Sequence, residues 1–160
     1  MEIKYKQPKL TDSLYGQMFW EDWDDETEPH WFARIDFIPN EAFEVLIETD
    51  SPLDFMAVRH THPTFKKLMS EFSSIRNQMI QNILDNLNDW AENRTERRAL
   101  AELLKKPLKI FSVTIYDDLS SEIEFAEDGY REIAISEAND NFYALIDKEG
   151  NFVEAGVCDY

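Results

Sequence analysis

A change of hydrophobic period along the chain limits its possible folds more than any other feature. From Phe65 the apolar positions are Leu68, Met69, Phe72, Ile75, Met79, Ile80, Ile83, Leu84, Leu87 and Trp90. Steps of one, three and four residues put these side chains on one stripe of a long amphipathic helix. Pro63 stands where a first-turn proline belongs, and Thr61 is the candidate cap before it. A shorter helix is expected from about Thr95 to Leu104, with Ala99, Leu100, Leu103 and Leu104 as its apolar side and Pro107 as its stop.

On both sides of this helical third the period falls to two. Leu14 to Trp20 is a short alternating run. In Trp31 to Ile38, the side chains of Trp31, Ala33, Ile35 and Phe37 share one face, and Arg34 and Asp36 share the other. In Ala42 to Glu48, Phe43, Val45 and Ile47 point one way, while Glu44 and Glu48 point away. After the helices, Ile110 to Tyr116 places Phe111, Val113 and Ile115 together. Ser121 to Ala126 places Ile123 and Phe125 inward and Glu122 and Glu124 outward. Asp128-Gly129 predicts a hairpin turn into a strand from Tyr130 to Ser136, with Ile133 and Ile135 on one side. Phe142 to Ile146 and Phe152 to Val157 flank a second hairpin loop, Lys148 to Asn151. Such alternation marks strands with one buried and one wet face, and short turns between them imply antiparallel pairing.

These elements predict one α+β domain over residues 1–160. An antiparallel β-sheet, built from N-terminal strands and a C-terminal meander, packs on the long central helix and the short second one. The length suits a single core. With 43% apolar and 13% aromatic residues the composition is that of a globular chain. One cysteine, Cys158, excludes an intrachain disulfide, and the amino-terminal residues show no apolar run of the signal-peptide kind. A cytoplasmic setting is the expectation from those two observations.

The formal net charge is −17. Residues 1–60 carry 14 acids against 5 bases, residues 61–106 carry 6 against 8, and residues 107–160 carry 13 against 3. The strand-rich ends therefore hold the whole acidic excess. Nucleic acids and anionic membranes are poor partners for such a chain, because both would be repelled.

The residues supply no catalytic set. His60-x-His62 would place two imidazoles on one side of a strand, but it reads more simply as a polar link into the long helix. Cys158 lies in acidic surroundings that do not favour a thiolate, and it reads as a small buried residue. No Gly-x-Ser-x-Gly elbow occurs, and four glycines leave no phosphate-binding loop. No calcium loop is present at Asp140-Asn141 or Asp147-x-Glu149. The expectation is no enzyme, no cofactor and no metal.

Two acidic clusters remain as candidate partner-binding sites. The first sets Glu21, Asp22, Asp24, Asp25, Glu26 and Glu28 around Trp20 and Trp23, an aromatic anchor in an anionic rim suited to a Lys/Arg-rich partner. The second is Asp117, Asp118, Glu122, Glu124, Glu127 and Asp128. Glu122 and Glu124 there project from one strand face, at a cost in mutual repulsion. A charge well beyond what solubility asks for suggests a cationic protein partner.

The segments Phe111 to Asp117, Ile123 to Gly129, Ile133 to Ile135 and Leu145 to Phe152 resemble a group of uncharacterised bacterial domains, over about a third of the chain. Where that group usually has a histidine after the Asp-Gly turn, Arg131 and Glu132 stand here. In size and charge the chain resembles the immunity proteins of bacterial toxin systems, including contact-dependent growth inhibition. That resemblance implies an inhibitor that binds a basic toxin domain, a nuclease in the simplest case, and occludes its active site or substrate-binding surface. The alternatives are a small-ligand or enzymatic domain with a pocket between sheet and helix, and a nucleic-acid mimic.

Overall fold

The computed structural model describes residues 9–21, 29–38, 41–50, 55–127 and 141–158. Eight strands form one sheet whose spatial order follows the chain. They are β1 (Lys9–Asp12), β2 (Gly16–Glu21), β3 (His30–Ile38), β4 (Glu41–Glu48), β5 (Lys109–Ile115), β6 (Ser121–Ala126), β7 (Asn141–Ile146) and β8 (Phe152–Cys158). Between β4 and β5 run α1 (Phe55–His60), α2 (His62–Asp85), α3 (Leu87–Trp90) and α4 (Arg94–Leu103). The α+β architecture is as the two periods predict. No helix among the described residues is long and apolar enough to cross a membrane.

Six of the seven strand pairs are antiparallel. The β4–β5 pair is parallel, with Val45 opposite Val113 and Ile47 opposite Ile115. An intervening helical segment is what a parallel pair needs, since its connection must return to the starting end of the sheet. The sheet is therefore two four-stranded antiparallel halves, joined edge to edge where the helices cross over.

Trp31, Ala33, Ile35, Phe43, Val45, Ile47, Val113, Ile115, Ile123 and Phe125 are buried, as the alternation predicts. The expectation for the Phe37 side chain falls outside the described residues. β5 departs from its predicted phase: Ile110 is buried and Phe111 only half-buried. The register slips between Ile110 and Ser112, so Phe111 is an extra residue in a bulge and strand parity flips on either side of it. Leu14, read as the start of a strand, lies in the β1–β2 turn. The predicted turn at Asp128-Gly129 and strand at Tyr130–Ser136 lie outside the described residues; among the described residues β6 pairs with β5 on one side and β7 on the other.

Helix α2 buries Phe65, Leu68, Ile75, Met79 and Ile83 and lies closest to β7 and β8 in the sheet. It ends at Asn86, so Leu87 and Trp90 belong to the separate turn of α3. Thr61 does not cap α2 with its side chain. Another helical turn, α1, precedes it, and the Thr61 hydroxyl donates to the Val58 carbonyl at 2.6 Å and meets the Tyr15 hydroxyl at 2.6 Å. Asn93 caps α4 by accepting from the Glu96 N–H at 2.9 Å.

Candidate functional site

On the sheet face opposite the core, one register row crosses all eight strands. It runs Lys9, Phe19, Phe32, Leu46, Thr114, Glu122, Leu145, Glu154. A neighbouring row runs Arg34, Glu44, Ser112, Glu124, Tyr143, Gly156. The face is thus graded. Phe19 and Phe32 stack at 5.5 Å on the β2–β3 side, with Lys9 over the Phe19 ring at 5.8 Å. Carboxylates and tyrosines occupy the β4–β8 side. At the β8 edge Trp90 meets Tyr143 ring to ring at 6.5 Å, and a Cβ on Gly156 would lie 2.5 Å from the Trp90 ring, so glycine admits that close approach.

The centre of the acidic side is Tyr116, whose hydroxyl donates to Glu122 at 2.9 Å. Burial pushes the Tyr116 phenol up, and the charges of Glu122, Glu48 and Glu124 add to that. Burial also holds Glu122 above the usual carboxylate range, against the opposing pull of the Tyr116 hydroxyl, with the Glu124 charge raising it further. Three carboxylates from two strands, β4 and β6, therefore act on one phenol. The parallel β4–β5 junction brings Glu48 into this set.

Beside the cluster, at the carboxyl ends of β4 and β5, lies a cleft of about 340 Å³ whose walls include Glu48, Asp50, His60, Tyr116 and Asp117. Crevices at the carboxyl ends of parallel strands are where open α/β sheets hold ligands. Leu119, on its wall, has φ of 70°, a left-handed conformation that costs a leucine about 1–2 kcal/mol. The turn is tied by Tyr116 N–H to the Ser120 carbonyl and Leu119 N–H to the Tyr116 carbonyl, both at 2.9 Å.

The sequence-predicted residues separate into groups. Glu21 ends β2 and pairs with His30 Nε2 at 3.0 Å. Asp22, Trp23, Asp24, Asp25, Glu26, Glu28 and Asp128 lie outside the described residues. Asp117 and Asp118 are exposed in the β5–β6 turn. Hydrogen bonds from the Ser120 hydroxyl and N–H hold Asp118 below the usual carboxylate range. Glu122 and Glu124 project from the open face as predicted, whereas Glu127 pairs with Lys106 at 3.3 Å. His60 and His62 do not share a strand face. His60 ends α1 and lines the cleft, and His62 opens α2 and meets the Asp12 carboxylate at 2.8 Å. Among the described residues no group of three or more His, Cys, Asp or Glu side chains is arranged to hold a metal ion. Cys158 is half-buried at the end of β8.

Sequence reasoning found Glu44 and Glu48 facing outward but did not join them to Glu122 and Glu124, and it passed over Asp50, Tyr116 and Glu154. The signal for the missing link was the long helical segment between two alternating runs, which a parallel crossover requires.

The raised state of Glu122 has a testable sign. A carboxyl whose folded-state pKa is raised favours folding when protonated, and that contribution is lost as pH rises through the folded pKa. Glu122→Gln is therefore expected to stabilise the protein at pH 7 by a few tenths of a kcal/mol, from relief of burial and like-charge repulsion. The advantage shrinks as pH falls through the raised pKa and vanishes below about pH 4, where the carboxyl is protonated in both states. Thermal melts of both proteins across this range check it, and an advantage that persists unchanged at pH 3 contradicts it.

Compared with family models, with curated proteins and with solved structures, the chain matches none.

Proposed function

We propose that this chain binds a basic protein through the acidic side of its open sheet face and acts as an inhibitor of that protein, in the manner of a toxin-neutralising immunity protein. The observation that supports this most is the convergence of Glu48, Glu122 and Glu124 on the half-buried Tyr116. Holding like charges together on a sheet is unfavourable in the free protein. A guanidinium or ammonium group brought by a partner relieves that repulsion and gains charge-assisted hydrogen bonds. The adjoining cleft, walled by Glu48, Asp50 and Asp117, suits an inserted Arg or Lys side chain. Tyr116 and Tyr143 supply flat, partly apolar surface of the kind that anchors protein interfaces. A nuclease is the simplest partner, because the cations it uses to hold phosphates match this face. Covering them would block its substrate.

The test is capture of a basic protein from the source cells' extract on immobilised chain, followed by association kinetics with the purified partner. A variant with Glu48, Glu122 and Glu124 all replaced by Gln is expected to associate on the order of tenfold more slowly, with a weaker salt dependence. Inhibition of the partner's activity should fall in parallel. A captured protein that binds wild type and variant at the same rate at every salt concentration removes this face from the interface.

A further inference from the structure

A second pocket, of about 170 Å³, opens on the core side of the sheet between the first two turns of α2 and the β7–β8 turn. Its walls are aliphatic where Pro63, Leu68 and Ile146 contribute, and two cations, Lys67 and Lys148, stand among its lining residues. Lys67 is held in place by its hydrogen bond to the Glu149 carbonyl at 3.0 Å. The Asp147 carboxylate, also at the rim, accepts through Oδ1 from the N–H groups of Glu149 and Asn151 in its own turn, at 3.0 and 2.8 Å.

Ser121 makes this more than a crevice. It lines the pocket and is 1% exposed, and its hydroxyl has no hydrogen-bond partner among the described residues. It sits in a core-facing register row between Ile115 and Ile146 that continues through Ile47 and Trp31. Every one of those neighbours is apolar. A hydroxyl buried without a partner in such a row is costly, and a native protein keeps one where something satisfies it. Ser121 shares its face with Ile123 and Phe125, so its side chain points to the helix side, where the pocket lies.

We propose that this pocket binds a small carboxylic acid bearing a second oxygen, a short keto or hydroxy acid. Its carboxylate meets Lys67 and Lys148 at the rim, its short carbon body lies against Leu68 and Ile146, and its second oxygen reaches the Ser121 hydroxyl. The volume matches a molecule of roughly five or six heavy atoms, from the ~30 Å³ share of a water in the liquid. An inorganic anion would leave the aliphatic walls unmatched, and a purely aliphatic acid would leave Ser121 unsatisfied. This site is on the core side of the sheet and does not depend on the basic-partner reading.

The test is titration of the ¹⁵N-labelled full chain with pyruvate, propionate and inorganic phosphate, following the backbone amides of Thr64, Ser121 and Gly150. Pyruvate is expected to give saturable shifts at these amides and to bind several-fold more tightly than propionate or phosphate. Ser121→Ala should weaken pyruvate about tenfold and leave propionate unchanged, and exchanging both Lys67 and Lys148 for Met should abolish binding of either acid. Both variants lie at the pocket wall, and their amide spectra are the check that the fold is kept. Shifts that never saturate, phosphate binding as tightly as pyruvate, or Ser121→Ala binding pyruvate like wild type would each overturn the proposal. The last result would mean that water alone satisfies the hydroxyl.

Discussion

Phe65→Ala is expected to lower the unfolding free energy by about 3–5 kcal/mol, the usual range for removing a buried aromatic. Phe65 is 1% exposed at the start of α2, and its ring lies edge-on to Tyr15 at 5.1 Å and tilted to Phe43 at 6.4 Å. Tyr15 belongs to the β1–β2 turn and Phe43 to β4, so this one side chain fastens the helix to two separate parts of the amino-terminal half. Its loss leaves a cavity that three different elements would have to move together to fill. Urea unfolding followed by tryptophan fluorescence measures the change. A loss below about 1 kcal/mol would show that the site collapses freely and that Phe65 does not fasten the helix to those two parts.

Asp12→Ala should cost nearly as much, about 2–4 kcal/mol, for a different reason. Asp12 is 7% exposed, and its carboxylate accepts from the N–H groups of Leu14 and Tyr15 at 2.8 and 2.9 Å while facing His62 Nε2 at 2.8 Å. Alanine leaves these donors without their acceptor in partly or fully buried positions, and each such orphan costs about 1–3 kcal/mol. The aliphatic volume lost is small, so the effect is polar in origin. Asp12→Asn keeps an acceptor for one or two of the donors and should cost less than half as much. A double-mutant cycle with His62→Ala separates the pair's own coupling from the turn's hydrogen bonds. If Asp12→Asn and Asp12→Ala are equally damaging, acceptor geometry is not what Asp12 provides.

Local pattern was legible in the sequence, and long-range assembly was not. The alternations at Trp31–Asp36, Ala42–Glu48 and Ser121–Phe125 reported burial correctly, because a side-chain period of two follows from strand geometry whatever the neighbours are. The helical stripe after Phe65 was equally plain. The bulge at Phe111 was not, because two apolar residues in succession, Ile110 and Phe111, give no clue to which of them enters the core. The His60–His62 pair looked like a shared strand face only because the helical turn before Thr61 was too short to register as a pattern. For the candidate site, the outward direction of Glu122 and Glu124 was visible. Their gathering with Glu48 around Tyr116 depends on β4 lying parallel beside β5, a contact between segments on opposite sides of the helices. The pocket under Ser121 was invisible for the same reason, since a serine that opens a strand looks like ordinary turn chemistry until its lateral neighbours are known.

The in-sequence strand order also bears on how quickly and in what sequence the molecule is assembled. Each ladder within β1–β4 and within β5–β8 joins consecutive strands, so both halves can zip locally, strand after strand. The β4–β5 ladder alone must wait for the chain between Glu48 and Lys109 to return. Closure entropy rises only logarithmically with loop length, by about 0.6 kcal/mol per doubling, so lengthening that crossover would scarcely slow the step. The natural barrier is then the meeting of two preformed ribbons under a coiling helix. Val45, Ile47, Val113 and Ile115 sit on that seam, so substitutions there are the ones expected to slow folding.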